Sequence, residues 1–169
     1  EWEFGTNPCS EIVLRPYQFC NLSEVVVRAT DDLKSLSDKV KLATIIGTIQ
    51  SSLTKFPYLR KVWQKNTEEE RLLGVSLTGI MDNPLLTTKN KGLAQMLDHL
   101  RHVAVDTNKE WAVRLGVQQS TAITCVKPSG TVSQLVDSAS GIHARHSPYY
   151  YRTVRGDNKD PITQFMKDQ

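Results

Sequence analysis

At 169 residues the chain is long enough for one domain with a real core, and its 39% hydrophobic and 23% charged residues exclude a disordered tail. A net charge of +3 suits a phosphate-bearing ligand but is too small to argue for a nucleic-acid groove, so no DNA binding is expected. No apolar run reaches the roughly eighteen residues of a membrane span, and the acidic, polar opening EWEFG does not read as a signal peptide.

In chain order, Ile12-Val13-Leu14 and Val25-Val26-Val27 are β-leaning runs around a turn at Pro16. Thr30-Asp31-Asp32 reads as a helix start, with the Thr30 hydroxyl as N-cap and acids in the first turn. Leu33, Leu36, Val40, Ala43, Ile46 or Gly47, and Leu53 then predict a helix over 31–54. Residues 58–70 are a charged, partly helical connection. LLGVSLTGI at 72–80 alternates as a short strand, and MDNPLL is a turn or loop. Leu93, Leu97, Leu100, Ala104, Trp111 and Leu115 predict a second long helix, roughly 90–115, closed by Gly116 at its C-cap. TAITCV at 121–126 is a β-rich run leading into KPSGTVSQLV. After Gly141 a loop leads to a Tyr-rich strand candidate, and ITQFMKDQ resembles the opening of a helix. Strands alternating with two long helices predict an α/β architecture. With so few short strands, the chain is expected to be a single segment, 1–169, of a larger sheet or barrel.

Two stretches carry candidate chemistry. In VKPSGTVS a β-run ends at Val126, proline breaks the ladder, and Ser129, Gly130 and Thr131 open a helix. Glycine allows close backbone approach, and free N–H groups at a helix start favour anions. The hydroxyls of Ser129, Thr131 and Ser133 add donors, and Lys127 adds charge. The same pattern also describes an ordinary strand-to-helix turn with Ser129 as N-cap. In the other stretch, Asn7, Cys9 and Glu11 alternate, which in an extended segment puts their side chains on one face. A carboxylate beside a thiol disfavours the thiolate, so Cys9 fits a protonated or radical role better than a nucleophilic one. A buried cysteine near a surface glutamate is the plain alternative. Three cysteines without zinc-type spacing predict free thiols in a reducing cytoplasm. Cys125 reads as a small buried hydrophobe. His99, His102, His143 and His146 lack an acidic or cysteine partner pattern and read as surface or packing residues rather than a metal site. Tyr149 to Tyr151 read as alternate packing on a strand.

NPCSE at 7–11 followed by FCNL at 19–22 resembles the radical-cysteine segment of ribonucleotide reductases. RLLGVSLTGI at 71–80 resembles that family's Arg-x-x-Gly-Val-x-x-x-Gly strand. KPSGTVSQL at 127–135 resembles its phosphate loop, and GIHARHSPYYYRTVR at 141–155 resembles the stretch after that loop in the cobalamin-dependent branch. The landmarks occur in the family's order. The resemblance implies the C-terminal part of a ten-stranded α/β barrel with two long helices, and reduction of a ribonucleotide at C2′. It implies that Cys9 carries a thiyl radical, Glu11 acts as general base, Asn7 binds the sugar hydroxyls and Cys20 is one of two redox thiols. It further implies that Pro128, Ser129, Gly130, Thr131 and Ser133 hold the substrate phosphates. The wording is most similar to the monomeric, adenosylcobalamin-dependent triphosphate reductases. That implies adenosylcobalamin as cofactor, a thioredoxin-like dithiol as reductant, and the missing N-terminal half of the barrel as partner, in cis or in trans. The segment alone is expected to be inert. The alternatives are a nucleotide-binding module and a fold-completing fragment of a split reductase.

Overall fold

The computed structural model describes residues 3–87 and 92–169. Its first element is a hairpin of β1 (Gly5–Thr6) and β2 (Val13–Leu14), paired antiparallel. β3 (Asn21–Val26) lies parallel to β4 (Leu73–Thr78), in a register that sets Leu22 beside Gly74 and Glu24 beside Ser76. Parallel pairing requires a crossover, and the chain makes it through α1 (Leu33–Ser51) and α2 (Lys61–Glu70). After β4 come a 3-10 turn (Ile80–Asp82), α3 (Pro84–Thr87), α4 (Leu93–Leu115), α5 (Thr131–Leu135) and α6 (Pro161–Asp168). The expected first residues of the second long helix, 90 and 91, lie outside the described residues.

α1 starts later than its composition suggests. Asp32, not Thr30, is the N-cap. Its carboxylate accepts the Ser35 N–H at 2.7 Å, and the Ser35 hydroxyl accepts the Asp32 N–H at 3.0 Å, closing a capping box. Asp31 accepts bonds from the Arg28 N–H and the Lys39 ammonium instead. Leu36, Val40, Ala43 and Gly47 form the buried stripe of α1. Gly47 has no side chain, so the helix sits close over Leu73. α4 packs against α1 and ends at Gly116, whose left-handed φ of 66° is the C-cap that glycine favours. Val25, Val27, Leu73, Val75, Leu100 and Ala104 complete the core between these helices and the strands.

The β-rich run 121–126 does not form a full strand. It flanks β4 through a single parallel bridge, Val75 to Thr124, supported by backbone bonds from Leu73 and Val75 and by one from Cys125. The Tyr-rich stretch forms no strand and pairs with no strand edge among the described residues. Tyr149 and Tyr151 stand in solvent, and Tyr150 donates to Gln134 Oε1 at 2.9 Å. The architecture is mixed α/β, and among the described residues the strands form two two-stranded sheets without closing a barrel. No helix among the described residues is long and apolar enough to cross a membrane.

Candidate active site: two thiols, a buried carboxylate and a serine-rich loop

Strand alternation gives the β3–β4 pair two faces. Ser23, Val25, Leu73 and Val75 turn toward α1 and the core. Leu22, Glu24, Gly74 and Ser76 share the other face. Gly74 leaves an opening there. A methyl group on it would meet Cys125 Sγ at 3.2 Å and Cys20 Sγ at 3.3 Å, so both sulfurs converge over one point of the backbone. Cys125 is therefore half-buried with its thiol beside that of Cys20, rather than sealed in the core, because the run 121–126 is held at the sheet edge by one bridge. Both thiols are free.

The site disfavours thiolates. Burial, then the neighbouring Cys125 and the Glu11 carboxylate, push the Cys20 thiol up to about 12. Burial, Glu11 and Glu24 push Cys125 up to about 11, with Lys127 opposing. These sulfurs remain protonated around neutral pH, the state in which a thiol donates hydrogen.

Asn7, Cys9 and Glu11 do not lie on one face of an extended strand. Asn7 to Ser10 form the hairpin turn: the Asn7 carbonyl accepts the Ser10 N–H, and Asn7 Oδ1 accepts the Ile12 N–H at 3.1 Å. Ser10 takes a left-handed φ of 61°. This leaves Cys9 exposed at the tip. Glu11 turns inward, and both its carboxylate oxygens are buried without a hydrogen-bond partner among the described residues. Its charge bears on Cys20 and Cys125, so the acid belongs to the pair over Gly74 as well as to the turn.

The loop 127–133 follows the run that flanks β4. Gly130, not Ser129, is the residue before α5, and no side chain caps that five-residue helix. Ser129 is buried, with its hydroxyl unpaired. Ser133 is buried and donates to the Gly130 carbonyl at 2.8 Å, whereas Pro128 and Thr131 are exposed. Lys127 bends its ammonium toward the Pro128 carbonyl, 3.5 Å away. The structure thus places the predicted residues in two groups, the hairpin with the thiol face and this loop. His99 contacts the Ser37 hydroxyl and His102 sits by the Asp98 carbonyl, both on the surface. The described residues contain no cluster able to hold a metal ion.

Two features escaped sequence reasoning. Glu24 has one carboxylate oxygen buried and unpaired on the thiol face; its parity with Cys20 and Leu22 was the available signal. Arg145 grips two aspartates beneath the loop, and distance along the chain hid that contact.

No protein-family model matches the chain. It is similar to the adenosylcobalamin-dependent ribonucleoside-triphosphate reductase of Lactobacillus gasseri, 30% identical over 97% of this chain and 25% of that protein. The protein of the same description from Lactobacillus delbrueckii subsp. bulgaricus is 27% identical over 96% of the chain and 25% of the relative. Among solved structures the chain resembles a B12-dependent (class II) ribonucleotide reductase, with a TM-score of 0.68, 28% identity, and coverage of 84% of this chain and 23% of that one. The chain spans about a quarter of the length of the curated relatives it matches. The resemblance read from the motifs is borne out: the chain is related, over nearly its whole length, to a segment of the adenosylcobalamin-dependent ribonucleotide reductases.

Proposed function

We propose that residues 1–169 are one segment of a ribonucleotide reductase, forming the C-terminal part of a ten-stranded catalytic barrel that converts ribonucleotides to 2′-deoxyribonucleotides. The observation that carries the reading is the buried, unpaired carboxylate of Glu11 beside two protonated thiols. An unpaired buried carboxylate is costly unless a ligand supplies its partner, and a sugar hydroxyl is such a partner.

In this reading Cys9, exposed in the hairpin turn, carries the thiyl radical that takes the 3′-hydrogen. Glu11 accepts the proton of the 3′-hydroxyl, and Asn7 bonds the sugar hydroxyls. Cys20 and a second thiol from outside these residues deliver two reducing equivalents. Ribonucleotide and dithiol become deoxyribonucleotide, disulfide and water, and a thioredoxin-like dithiol restores the pair. Pro128, Ser129, Gly130, Thr131 and Ser133 cradle the phosphates. The relatives' names carry adenosylcobalamin, which supplies the organic radical when bound. In this reading the chain's own contribution to that chemistry is the exposed Cys9 thiol.

The surface supports a further part of the protein. Leu42, Ile46, Ile49 and Leu53 form an exposed apolar stripe on and just beyond α1. A mostly apolar cavity of about 490 Å³ lies open among Leu77, Leu86, Leu97, Val126 and Ile142. Such surface calls for cover, and the remainder of the barrel, in cis or in trans, is its occupant. The segment alone is then inert.

The test is formation of deoxyribonucleotide by the complete protein, with dithiol, with and without adenosylcobalamin, beside a Cys9→Ser variant. Cobalamin-dependent product that vanishes in the variant is expected. Nucleotide binding without product under any radical source would sink the reading and leave a binding or fold-completing role.

A further inference from the structure

Residues 137–141 run back beneath the serine-rich loop and are fastened at both sides. Below, Ala139 N–H donates to Asp82 Oδ2 at 2.8 Å, and the Ala139 carbonyl accepts from Gly79 N–H and from the Thr78 hydroxyl. The Gly141 N–H donates to Thr78 Oγ1 at 2.9 Å. Above, the Ser140 hydroxyl donates to the Ser129 carbonyl. Gly141, at a left-handed φ of 54°, lies so close that an added methyl would meet the Lys127 carbonyl at 2.8 Å and the Ser129 nitrogen at 3.3 Å. The backbone of Lys127 to Ser129 therefore rests directly on this strap.

Arg145 fixes the strap. Its Nε and Nη2 grip Asp82 Oδ1 and Oδ2 at 2.9 and 3.1 Å, and Nη1 and Nη2 reach Asp137 Oδ1 and its carbonyl at 2.8 and 3.1 Å. Arg28 Nη1 donates to the same carbonyl at 2.7 Å. The Asp137 carboxylate is 88% exposed, so that arm is worth little on its own. The Asp82 side chain is only 18% exposed and is held by a two-pronged fork, so it carries the hold. Burial raises the Asp82 carboxyl, but the bonds from Arg145 and Ala139 N–H outweigh it and leave it below the usual carboxylate range. Lysine, a point charge, cannot reproduce the fork.

We propose that Arg145 is a positioning residue for the 127–131 loop, acting through residues 137–141 to hold the Ser129 backbone and its buried hydroxyl in place for a phosphate. This rests on reading that loop as the cradle of the substrate phosphates. Nε, Nη1 and Nη2 of Arg145 are all engaged by Asp82 and Asp137, so its loss acts through the strap, on binding before chemistry. In the complete reductase, Arg145→Ala is expected to raise KM for a ribonucleoside triphosphate about tenfold, with kcat changed far less. Arg145→Lys keeps the charge without the fork and should not restore KM. A purely structural role would lower the active fraction, and so the apparent kcat, with KM unchanged. An unchanged KM in Arg145→Lys, or in Arg145→Ala if it folds, overturns the proposal. A paired Ser129→Ala and Thr131→Ala variant separates the two readings. If its KM is unchanged too, the phosphate loop itself is misassigned and the inference falls with it. If its KM rises and those of the Arg145 variants do not, only the role of Arg145 is wrong.

Discussion

The two faces of the β3–β4 pair are built from alternate residues of the same strands, yet they are opposites. Toward α1 and α4, Val25, Leu73 and Val75 are buried among Leu36, Val40, Ala43, Leu100 and Ala104. On the other face Gly74 leaves an opening, two thiols meet above it, and both carboxylate oxygens of Glu11 and one of Glu24 have no hydrogen-bond partner among the described residues. Burial of apolar surface stabilises a fold, whereas unpaired buried polar groups cost stability and persist where a ligand needs them. One residue of strand parity thus separates the packed apolar face from the face that carries the thiols and the unpaired carboxylate oxygens.

That separation is sharpest at its extremes. Cys9→Ser should reduce turnover of the complete protein by at least about a thousandfold. It should leave the urea midpoint unchanged, since the side chain is exposed in a turn. Leu73→Ala should do the reverse, removing about 2–5 kcal/mol of stability while any surviving folded protein keeps its nucleotide affinity. Leu73 is 1% exposed and touches the stripe of α1 at Gly47. Urea melts of the two variants decide the matter, and a Cys9→Ser variant as destabilised as Leu73→Ala would break the division.

Gly74→Ala probes the boundary itself. A methyl group there would stand 2.5 Å from Leu22 Cδ2, and well within contact of both sulfurs. Overpacking of this kind costs about 1–3 kcal/mol. Because the displaced atoms lie on the thiol face, the alkylation rates of Cys20 and Cys125 should change together, read by mass spectrometry of tryptic peptides. A change confined to stability would mean that the two thiols are not coupled through this opening.

Much of the helix-side face was legible in the sequence, because it is written in periodicity. The Leu36, Val40, Ala43 and Gly47 part of the α1 stripe, the length of α4 and the cap at Gly116 follow from 3.6-residue spacing and from the freedom of glycine at positive φ, whereas Leu33 and Leu53, counted in the same stripe, are exposed, Leu53 beyond the helix end at Ser51. Local chemistry was legible less reliably. Thr30 resembles an N-cap, yet Ser35 can reciprocate only with Asp32, and the reciprocal pair wins. The alternation of Asn7, Cys9 and Glu11 reads identically for a strand and for a turn, and Ser10 at positive φ decides for the turn. Tyr149 to Tyr151 have strand propensity but pair with no strand edge among the described residues. The thiol face was least legible: Cys20 and Cys125 are brought together by the register of β3, β4 and the flanking run, a tertiary fact that no local pattern encodes. The motifs nonetheless pointed to the right relatives, since ordered landmarks survive where local geometry is misjudged.

The smallest expected effect lies in the alkaline pH dependence of stability. Cys20 and Cys125 are held up to about 12 and about 11 from the ordinary 9.0, so the folded state binds their protons more tightly than the unfolded chain does. Their contribution is complete below about pH 9 and is lost as pH rises toward 11 and 12. Between pH 6 and about 7.5 the thiols should therefore add no slope to a plot of urea midpoint against pH, and above about 9 the midpoint should fall steadily. Both thiols are only partly shielded, so each contributes well under the roughly 1.4 kcal/mol per pH unit of a sealed group. Replacing both with serine should flatten that alkaline fall while leaving the stability at pH 7 within about 1 kcal/mol of the parent. On the helix-side face Leu73→Ala should lower the whole curve without changing its shape, because Leu73 and its neighbour Gly47 do not titrate. A double serine variant with the parent's alkaline slope would place the shielding elsewhere, and the thiols over Gly74 would then be as open to solvent as Cys9.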